Sequence, residues 1–291
     1  MDPSDELRDF LMTRRARITP EQAGFAGGGL RRVAGLRREE VALAAGMSVD
    51  YYTRLERGRV ENPSDQVVEA VSRVLELDEA EHTHLLDLVA ACAGRSGAAR
   101  VRPGGPAPQP SLQWMVDAMT AAPALVAGPF LDVVATNHLA RALYSPMLDE
   151  LGAGRANFAR FAFMSPAARV FYPDWEGAAR VAVAQLRLAL GRHPRSRRLS
   201  GLVGELATGS TEFRTMWAAH EVRLHFAGTK QFTHPAVGAV ELSYHSMDLP
   251  SDPGHVLTVY NAVPRSPSAD ALRLLSTWAA SRVDGGQEVP R

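Results

Sequence analysis

The stretch from Leu36 to Gly58 decides the fold of the first part of this chain, and it reads LRREEVALAAGMSVDYYTRLERG. Its first half predicts a short helix over Arg38–Ala45. Gly46 then permits a tight turn, because glycine adopts backbone angles that other residues avoid. Ser48 is a favoured N-cap for a second helix over Val49–Arg57, and the glycine after that helix ends it. The stretch therefore predicts two helices joined by a tight turn.

The spacing within this stretch separates a buried face from an exposed one. Ala42 is small, which lets the second helix cross close to the first. The spacing turns three larger side chains towards a helical bundle: Met47, Tyr52 and Leu55. Four residues are left on the outer face of the second helix: Val49, Asp50, Tyr51 and Arg54. In a helix-turn-helix such outward residues meet base edges in the major groove, so the stretch predicts binding to double-stranded DNA.

The outward side chains suggest individual roles on an operator. Arg54 is the best candidate for a bidentate contact to guanine, worth about 1–3 kcal/mol of discrimination. Asp50 matches a cytosine amine, and Val49 and Tyr51 match a thymine methyl group. Phosphate contacts are expected from Arg38, Arg57, Arg59 and Asn62, with Ser48 completing the DNA-binding set. Backbone or minor-groove contacts are expected from Arg31 and Arg32.

Two structural alternatives stay open for this region. A helical bundle with a protein-binding face could carry the same pattern without touching DNA. The acidic Glu56 is better explained as the ion-pair partner of a neighbouring Arg than as a functional group. Local charge favours DNA, since Arg8 to Arg59 contains eleven Arg and six acidic residues although the whole chain has zero net charge.

The motif resembles the repressor-type helix-turn-helix family, also called the xenobiotic-response-element family. The matching residues are Val41, Ala42, Gly46, Ser48, Tyr52, Glu56 and Gly58. This chain has Arg38 where the family usually has Gln. The resemblance implies that this departure alters sequence specificity more than it threatens binding.

The 291 residues fit two domains joined by a linker. Residues 1–93 predict an all-α bundle of five helices that carries the motif. Residues 94–110 are rich in Gly, Pro and small residues, and predict an extended connector. Residues 111–291 predict a mixed α+β domain. Its predicted strands are Ala124–Val126, Leu131–Ala135, Val222–Phe226, Thr229–Thr233, Val237–His245 and Val256–Asn261.

Composition excludes several classes of protein. Cys92 is the only cysteine, so an intrachain disulfide is impossible, and a buried thiol is favoured over a reactive one. An uninterrupted apolar stretch of membrane-spanning length is missing from the sequence, and an acidic N-terminus does not resemble a secretory signal. We therefore expect a cytoplasmic protein without a membrane partner.

The second part gives weaker indications of chemistry. Its aromatic-rich segment from Phe158 to Trp175 suggests core packing, with one or two side chains left to line a ligand pocket. Histidines near the predicted strands lack metal-ligand spacing. Nucleophile-elbow and nucleotide-binding motifs are missing from the sequence. We therefore expect no catalytic residue, no metal site, no cofactor and no enzyme activity.

Short segments across residues 111–263 resemble the ligand-binding domain of MmyB-like transcription regulators, which are common in actinobacteria. Matching positions include Asp132, Asn137, Asn157, Tyr172, Asp174, Lys230, His234 and Tyr244. The resemblance implies a PAS-like domain that senses a small apolar or fatty-acid-like ligand. The implied ligand-binding residues are Phe161, Phe163, Trp175, Trp217, Lys230 and His234.

Lys230 has two competing interpretations within this resemblance. It could pair with a ligand carboxylate, or form a structural ion pair with an acid such as Asp174 or Glu205. At the level of the whole protein, the first hypothesis is a homodimer whose operator affinity responds to a ligand. The alternatives are a second domain that mediates only dimerisation or protein contacts, and an enzyme fused to a DNA-binding domain.

Overall fold

The structure is a computed structural model that describes residues 2–25, 35–94, 110–152, 156–220 and 227–284. Its contacts divide the chain into two compact units. Among the described residues, unit 1 comprises 2–25, 35–94, 187–202 and 215–220. Unit 2 comprises 110–152, 156–186, 203–214 and 227–284. The predicted domain limits at 93 and 111 remain a prediction, because the contacts assign two later segments to unit 1.

The N-terminal part of unit 1 is helical. Its helices are α1 (Pro3–Arg17), α2 (Arg38–Ala44), α3 (Val49–Glu56), α4 (Asp65–Val74) and α5 (Glu79–Cys92). Side chains at the N-caps hold their starts: Ser48 Oγ accepts from Tyr51 N at 3.1 Å, and Asp78 and Glu81 form a capping box. The predicted helical region with its helix-turn-helix is confirmed.

The core of unit 1 explains how the short helices are fixed. Phe10, Leu36, Val41 and Tyr52 have no exposed surface, and the small Ala42 is equally enclosed where α2 and α3 meet. Leu188, from the later segment 187–202, is part of the same apolar cluster. Burial of this apolar area stabilises the bundle, because short helices are marginal on their own.

The remaining helices follow the bundle in sequence. They are α6 (Pro110–Asp117), α7 (His138–Leu143), α8 (Ser145–Leu151), α9 (Phe158–Met164), α10 (Ala167–Phe171), α11 (Trp175–Arg192), α12 (Arg197–Gly209), α13 (Thr211–Ala218) and α14 (Pro267–Asp284). The division between the units passes through α11, α12 and α13. None of the helices in the described ranges is long and apolar enough to cross a membrane.

Unit 2 contains an antiparallel sheet of five strands in the order β2-β1-β5-β4-β3. The strands are β1 (Ala124–Ala127), β2 (Val133–Thr136), β3 (Ala227–His234), β4 (Gly238–Asp248) and β5 (Val256–Asn261). The larger apolar cluster contains Phe232 and Leu242 from the sheet together with Leu143 and Leu275 from α7 and α14. A smaller cluster joins α6 to β1, β2 and β5.

The predicted α+β class of the second domain is confirmed by this sheet, and most helix and strand limits differ from prediction by one to a few residues. The second predicted strand begins two residues later, at Val133. Two short helices, α8 and α10, were missed, because five to seven residues carry little periodicity. The predicted strand Val222–Phe226 lies outside the described residues, as do Arg31, Arg32 and most of the predicted linker.

Candidate functional site

The turn between α2 and α3 fixes which face of α3 points outwards. Gly46 adopts a φ of +68°, in the left-handed region that favours glycine. Tyr52 and Leu55 are buried in the bundle and Met47 packs against it. The opposite face of α3 is consequently directed away from the core.

The predicted base-reading residues occupy that outer face. Val49 is 42% exposed, Asp50 and Arg54 are exposed, and Tyr51 is half-buried. The predicted phosphate contacts after α3 are also exposed: Arg57, Arg59 and Asn62. The structure therefore presents short polar, aromatic and cationic groups on one helix face, as readout of the major groove requires.

Glu56 of α3 is buried and pairs with arginines of α1 and α2. Its carboxylate is fully buried, and Oε2 accepts a 2.8 Å bond from Arg38 Nε. Arg15 of α1 approaches the other oxygen at 3.5 Å and donates to the Leu36 carbonyl at 2.7 Å. The predicted structural pairing of Glu56 is confirmed. The Arg38 guanidinium, predicted to hold a phosphate, is bonded to Glu56, and this bond raises its pKa.

A second buried polar group in unit 1 involves residues far apart in sequence. Arg187 is fully buried and donates 2.8 Å bonds to Glu6 Oε2 and His220 Nδ1. Its guanidinium lies 4.2 Å from the ring centroid of Trp217 and also donates to the Trp217 carbonyl. Glu6 belongs to α1, so the later segments 187–202 and 215–220 are bonded to the helical bundle within this unit.

Arg14 extends the same group of charges. Arg14 Nε lies 2.8 Å from Glu81 Oε1, and Arg14 Nη2 donates a 2.5 Å hydrogen bond to the His220 carbonyl. Burial lowers the pKa of both Arg14 and Arg187 to about 10, and that of His220 to about 3. Burial beside two arginines therefore disfavours a further positive charge, and His220 stays neutral.

In unit 2, three tyrosines meet inside the larger apolar cluster. The hydroxyls of Tyr144 and Tyr260 are 2.6 Å apart, and Tyr172 is buried in the same apolar cluster. Burial raises the pKa of all three phenols, that of Tyr260 to about 12, so they stay protonated. We call Tyr144, Tyr172 and Tyr260 the tyrosine cluster.

Lys230 lies beside the tyrosine cluster. Its Nζ is 4.5 Å from the centroid of the Tyr172 ring and 5.7 Å from that of Phe232. The residue keeps part of its surface exposed, yet burial alone lowers the pKa of its amine to about 8. Because no charged neighbour contributes to that shift, the amine sits against aromatic rings without a compensating carboxylate among the described residues.

The two acids considered as ion-pair partners of Lys230, Asp174 and Glu205, bond to other groups. Glu205 accepts two 2.8 Å bonds from Arg160. Asp174 Oδ1 accepts a 2.9 Å bond from the backbone of Gly177 at the start of α11. Both acids therefore have partners other than the Lys230 amine.

The other predicted ligand residues do not form one group in the structure. His234 accepts from Ala236 N at 3.2 Å, while its Nε2 lies 3.0 Å from the Ala142 carbonyl. The remaining aromatic residues pack as follows: Phe161 is fully buried against Tyr172, Phe163 packs on Trp175 and Phe213, and Trp217 belongs to unit 1. His234 is thus a hydrogen-bonded core histidine, kept neutral because burial lowers its pKa.

Sequence reasoning missed Tyr144 and Tyr260 as part of this site. Tyr144 follows α7 and Tyr260 lies on β5, so they are 116 positions apart and share no local pattern. Within the described ranges, groups of three or more His, Cys, Asp or Glu side chains placed to hold a metal ion do not occur.

The exposed face of α3 and the turn at Gly46 define a helix-turn-helix protein, and the chain has an α+β unit in addition. Two family comparisons agree with this class: residues 28–85 match a helix-turn-helix domain, and residues 108–275 match the MmyB-like transcription regulator ligand binding domain. The second match covers more than half of the chain, so the protein belongs to the family of MmyB-like transcription regulators. None of the curated proteins compared with the chain matches it.

Proposed function

We propose that the protein binds a specific operator as a homodimer, and that a small apolar or fatty-acid-like molecule bound in the second domain changes its operator affinity. The exposed face of α3 carries the first half of this proposal, since Arg54 is exposed on it while Tyr52 and Leu55 hold the opposite face in the core. The ordered cap at Ser48 fixes where that face begins. We also propose that it acts in the cytoplasm.

The residues of this face divide into base contacts and phosphate contacts. Arg54 reads a guanine, Asp50 a cytosine amine, and Val49 and Tyr51 a thymine methyl group. Phosphates are held by Arg57, Arg59 and Asn62, with Ser48 and Arg38 at the edge of the motif. Arg38 contributes least to affinity, because its guanidinium already bonds to Glu56.

The DNA half is tested by two substitutions measured on a selected operator at a fixed, stated salt concentration. Arg54→Ala should weaken specific binding by about 1–3 kcal/mol and relax one base position. Arg59→Ala should weaken binding to all sequences and lower the salt dependence. Arg73→Ala, which removes an exposed charge near the end of α4, is the matched control and should leave affinity unchanged. Equal, sequence-independent losses from Arg54→Ala and Arg59→Ala would contradict the proposed recognition face.

The proposed homodimer is compatible with the geometry of operators. Two copies of α3 reach successive major grooves when they are about 34 Å apart, one helical turn of DNA. Sedimentation of the full chain with and without operator tests this. A single protein copy per operator at saturation would contradict it.

The ligand half is supported by Lys230 and its surroundings. A half-buried amine without a carboxylate partner favours an anionic or polar ligand end, while the neighbouring rings of Tyr172 and Phe232 favour an apolar body. The sheet covered by helices supports a PAS-like arrangement. Phe161, Phe163, Trp175 and His234 remain predicted ligand contacts in unit 2, whereas the other predicted contact, Trp217, belongs to unit 1. The ligand acts on DNA binding only through its different affinity for the two states of the protein.

Binding of dodecanoate to the full chain, followed by native mass spectrometry and calorimetry, tests the ligand half. We expect one molecule per chain, and at least tenfold weaker binding to Lys230→Met. Decane-1-sulfonate and decane, one charged and one neutral, serve as ligand controls. If dodecanoate neither binds nor changes operator affinity, a ligand-sensing role of this kind is wrong.

One observation favours a second candidate, in which the α+β domain mediates only dimerisation or protein contacts. Phe161, Phe171 and Tyr172 are buried with ring centroids 4.9–5.9 Å apart, which leaves this part of the core filled. A dimer that is stable without DNA, combined with failure of every apolar ligand to bind, would support this candidate.

A further inference from the structure

Lys230 is the only lysine in a chain with 32 Lys and Arg residues. The other cationic side chains are arginines, whose guanidinium stays protonated and is a poor nucleophile. An arginine would also pair a carboxylate better, because it offers a bidentate fork. Lys230 instead carries a primary amine, which can lose its proton and attack carbon, and it lies on β3.

The fold presents this amine to the apolar side of the sheet. Residues two apart on a strand share a face, so Lys230 points to the same side as the buried Phe232 and His234 on β3. Its Nζ lies 4.5 Å from the Tyr172 ring centroid. Lys230 keeps part of its surface exposed, so that a small molecule from solvent can reach the amine.

Three protonated phenols belong to the same apolar cluster as Phe232, and the ring of one of them, Tyr172, lies against the amine. The hydroxyls of Tyr144 and Tyr260 are 2.6 Å apart, and both residues lie with Tyr172 and Phe232 in one buried cluster. The neighbouring aromatic rings provide an apolar surface for an alkyl chain and limit the access of water to the amine. These are the surroundings in which an amine adds to a carbonyl group and the product is protected from hydrolysis.

We propose that Lys230 captures an apolar aldehyde as a reversible imine, with the alkyl chain held against the aromatic rings of the same site. The inference rests on the proposed function in one respect, namely that an apolar molecule enters this domain. It names the reactive end of that molecule as a carbonyl group.

The reaction balances without an oxidant or reductant. The neutral Nζ donates its electron pair to the carbonyl carbon, a C–N bond forms, and the carbonyl oxygen takes up a proton to give a carbinolamine. The nitrogen loses one proton, and the hydroxyl is then protonated and leaves as water while the nitrogen lone pair forms the second C–N bond. The nitrogen finally loses its other proton, so the two protons gained by oxygen match the two lost by nitrogen. The C=N bond that remains carries the former amine nitrogen, and hydrolysis reverses each step. With an amine pKa of about 8, roughly a tenth of Lys230 is neutral at pH 7, against less than a thousandth for an ordinary lysine.

The single lysine makes the test specific. Full-length protein is incubated with dodecanal and sodium cyanoborohydride at pH 7, which reduces an imine to a stable secondary amine. Intact mass and peptide mapping then locate the adduct on Lys230 or on the only other primary amine, at the N-terminus. We expect one alkyl group on Lys230, formed at least tenfold faster than in the same protein unfolded in urea. Lys230→Arg should abolish this adduct while its circular dichroism stays unchanged.

Two further outcomes separate this inference from the proposed function. Glycolaldehyde, which has the carbonyl but no alkyl chain, should label Lys230 at least tenfold more slowly than dodecanal. If dodecanoate binds the protein but dodecanal labels only the N-terminus, the imine proposal is wrong and the ligand-sensing proposal stands. Labelling of Lys230 no faster than in urea also overturns the imine proposal. Failure of both dodecanoate and dodecanal contradicts both proposals.

Discussion

Arg187 and Glu6 are 181 positions apart in the chain, and their side chains form a 2.8 Å ion pair in which the arginine has no exposed surface. Burial raises the pKa of Glu6 and lowers that of Arg187 to about 10. Each charge is therefore tolerated in the interior because the other is present. The pair fastens α11 to α1 within unit 1, so part of the segment matched by the ligand-binding family belongs with the helical bundle.

Removing one partner of this pair should destabilise unit 1. Arg187→Met leaves Glu6 as a buried, unpaired charge, and we expect a loss of about 3–5 kcal/mol in the free energy of unfolding. Urea denaturation of the full chain measures it. The double variant Glu6→Leu with Arg187→Met should recover most of the loss, because no charge is then left buried.

The control for this prediction is a partly exposed pair in the same unit. Arg192 lies 3.2 Å from Asp87, and its side chain is 41% exposed. Arg192→Ala should cost less than about 1 kcal/mol. If it cost as much as Arg187→Met, burial would not be the reason for the importance of Arg187.

Gly35 should tolerate a side chain less well than Gly46, although only Gly46 has a positive φ. A methyl group on Gly35 would overlap the Arg15 carbonyl oxygen and the Ala16 Cα, which are backbone atoms that cannot move aside. Space around Gly46 is open, so Gly46→Ala meets only the cost of a left-handed backbone, about 1–2 kcal/mol. We expect Gly35→Ala to lower the free energy of unfolding by about 3 kcal/mol or to prevent folding. Thermal unfolding of both variants checks the order, and the reverse order would mean that α1 and the start of the motif do not pack as described.

Unit 1 should lose stability as the pH falls below about 6.5. Burial, with the nearby Arg187 and Arg14, lowers the pKa of His84 far below its usual value and that of His220 to about 3. Well above pH 6.5 both histidines are neutral in the folded and the unfolded state, and stability is complete. Below it the unfolded chain takes up protons that the folded protein refuses, so each histidine lowers the free energy of unfolding by about 1.4 kcal/mol per pH unit.

Urea titrations at pH 7.5, 6.5 and 5.5 test this dependence. His84→Leu should make the decline between pH 6.5 and 5.5 shallower by about 1 kcal/mol, because the unfolded histidine is already half protonated at pH 6.5. Leu88→Ala, on the same helix, should lower stability equally at each pH. An unchanged slope in His84→Leu would show that this ring is protonated in the folded protein.

The recognition motif could be predicted from the sequence because its determinants are local. The Ser48 cap, the Gly46 turn and the spacing of Tyr52 and Leu55 lie within ten residues, and the structure has each where the pattern puts it. Strand β5 was predicted with its observed limits for the same reason, since β-branched and aromatic residues concentrated within six positions define it.

The contacts that could not be predicted join residues that are far apart in the sequence. Neither the Glu6–Arg187 pair nor the Tyr144–Tyr260 contact has a local pattern, because each joins elements more than a hundred residues apart. The division of α11 between two units was missed for this reason. Lys230 was singled out by the family resemblance, but its position against the Tyr172 ring follows only from the sheet register.

Selection of operators from a random library of double-stranded DNA, with the full chain at a fixed salt concentration, tests the central claim most directly. The exposed face of α3 predicts enrichment of an inverted repeat whose half-sites are centred about 10–10.5 base pairs apart. Arg54→Ala should select the same repeat with one guanine position relaxed in each half-site. Failure to enrich any sequence, or an enriched site identical for the wild type and Arg54→Ala, would contradict recognition through α3.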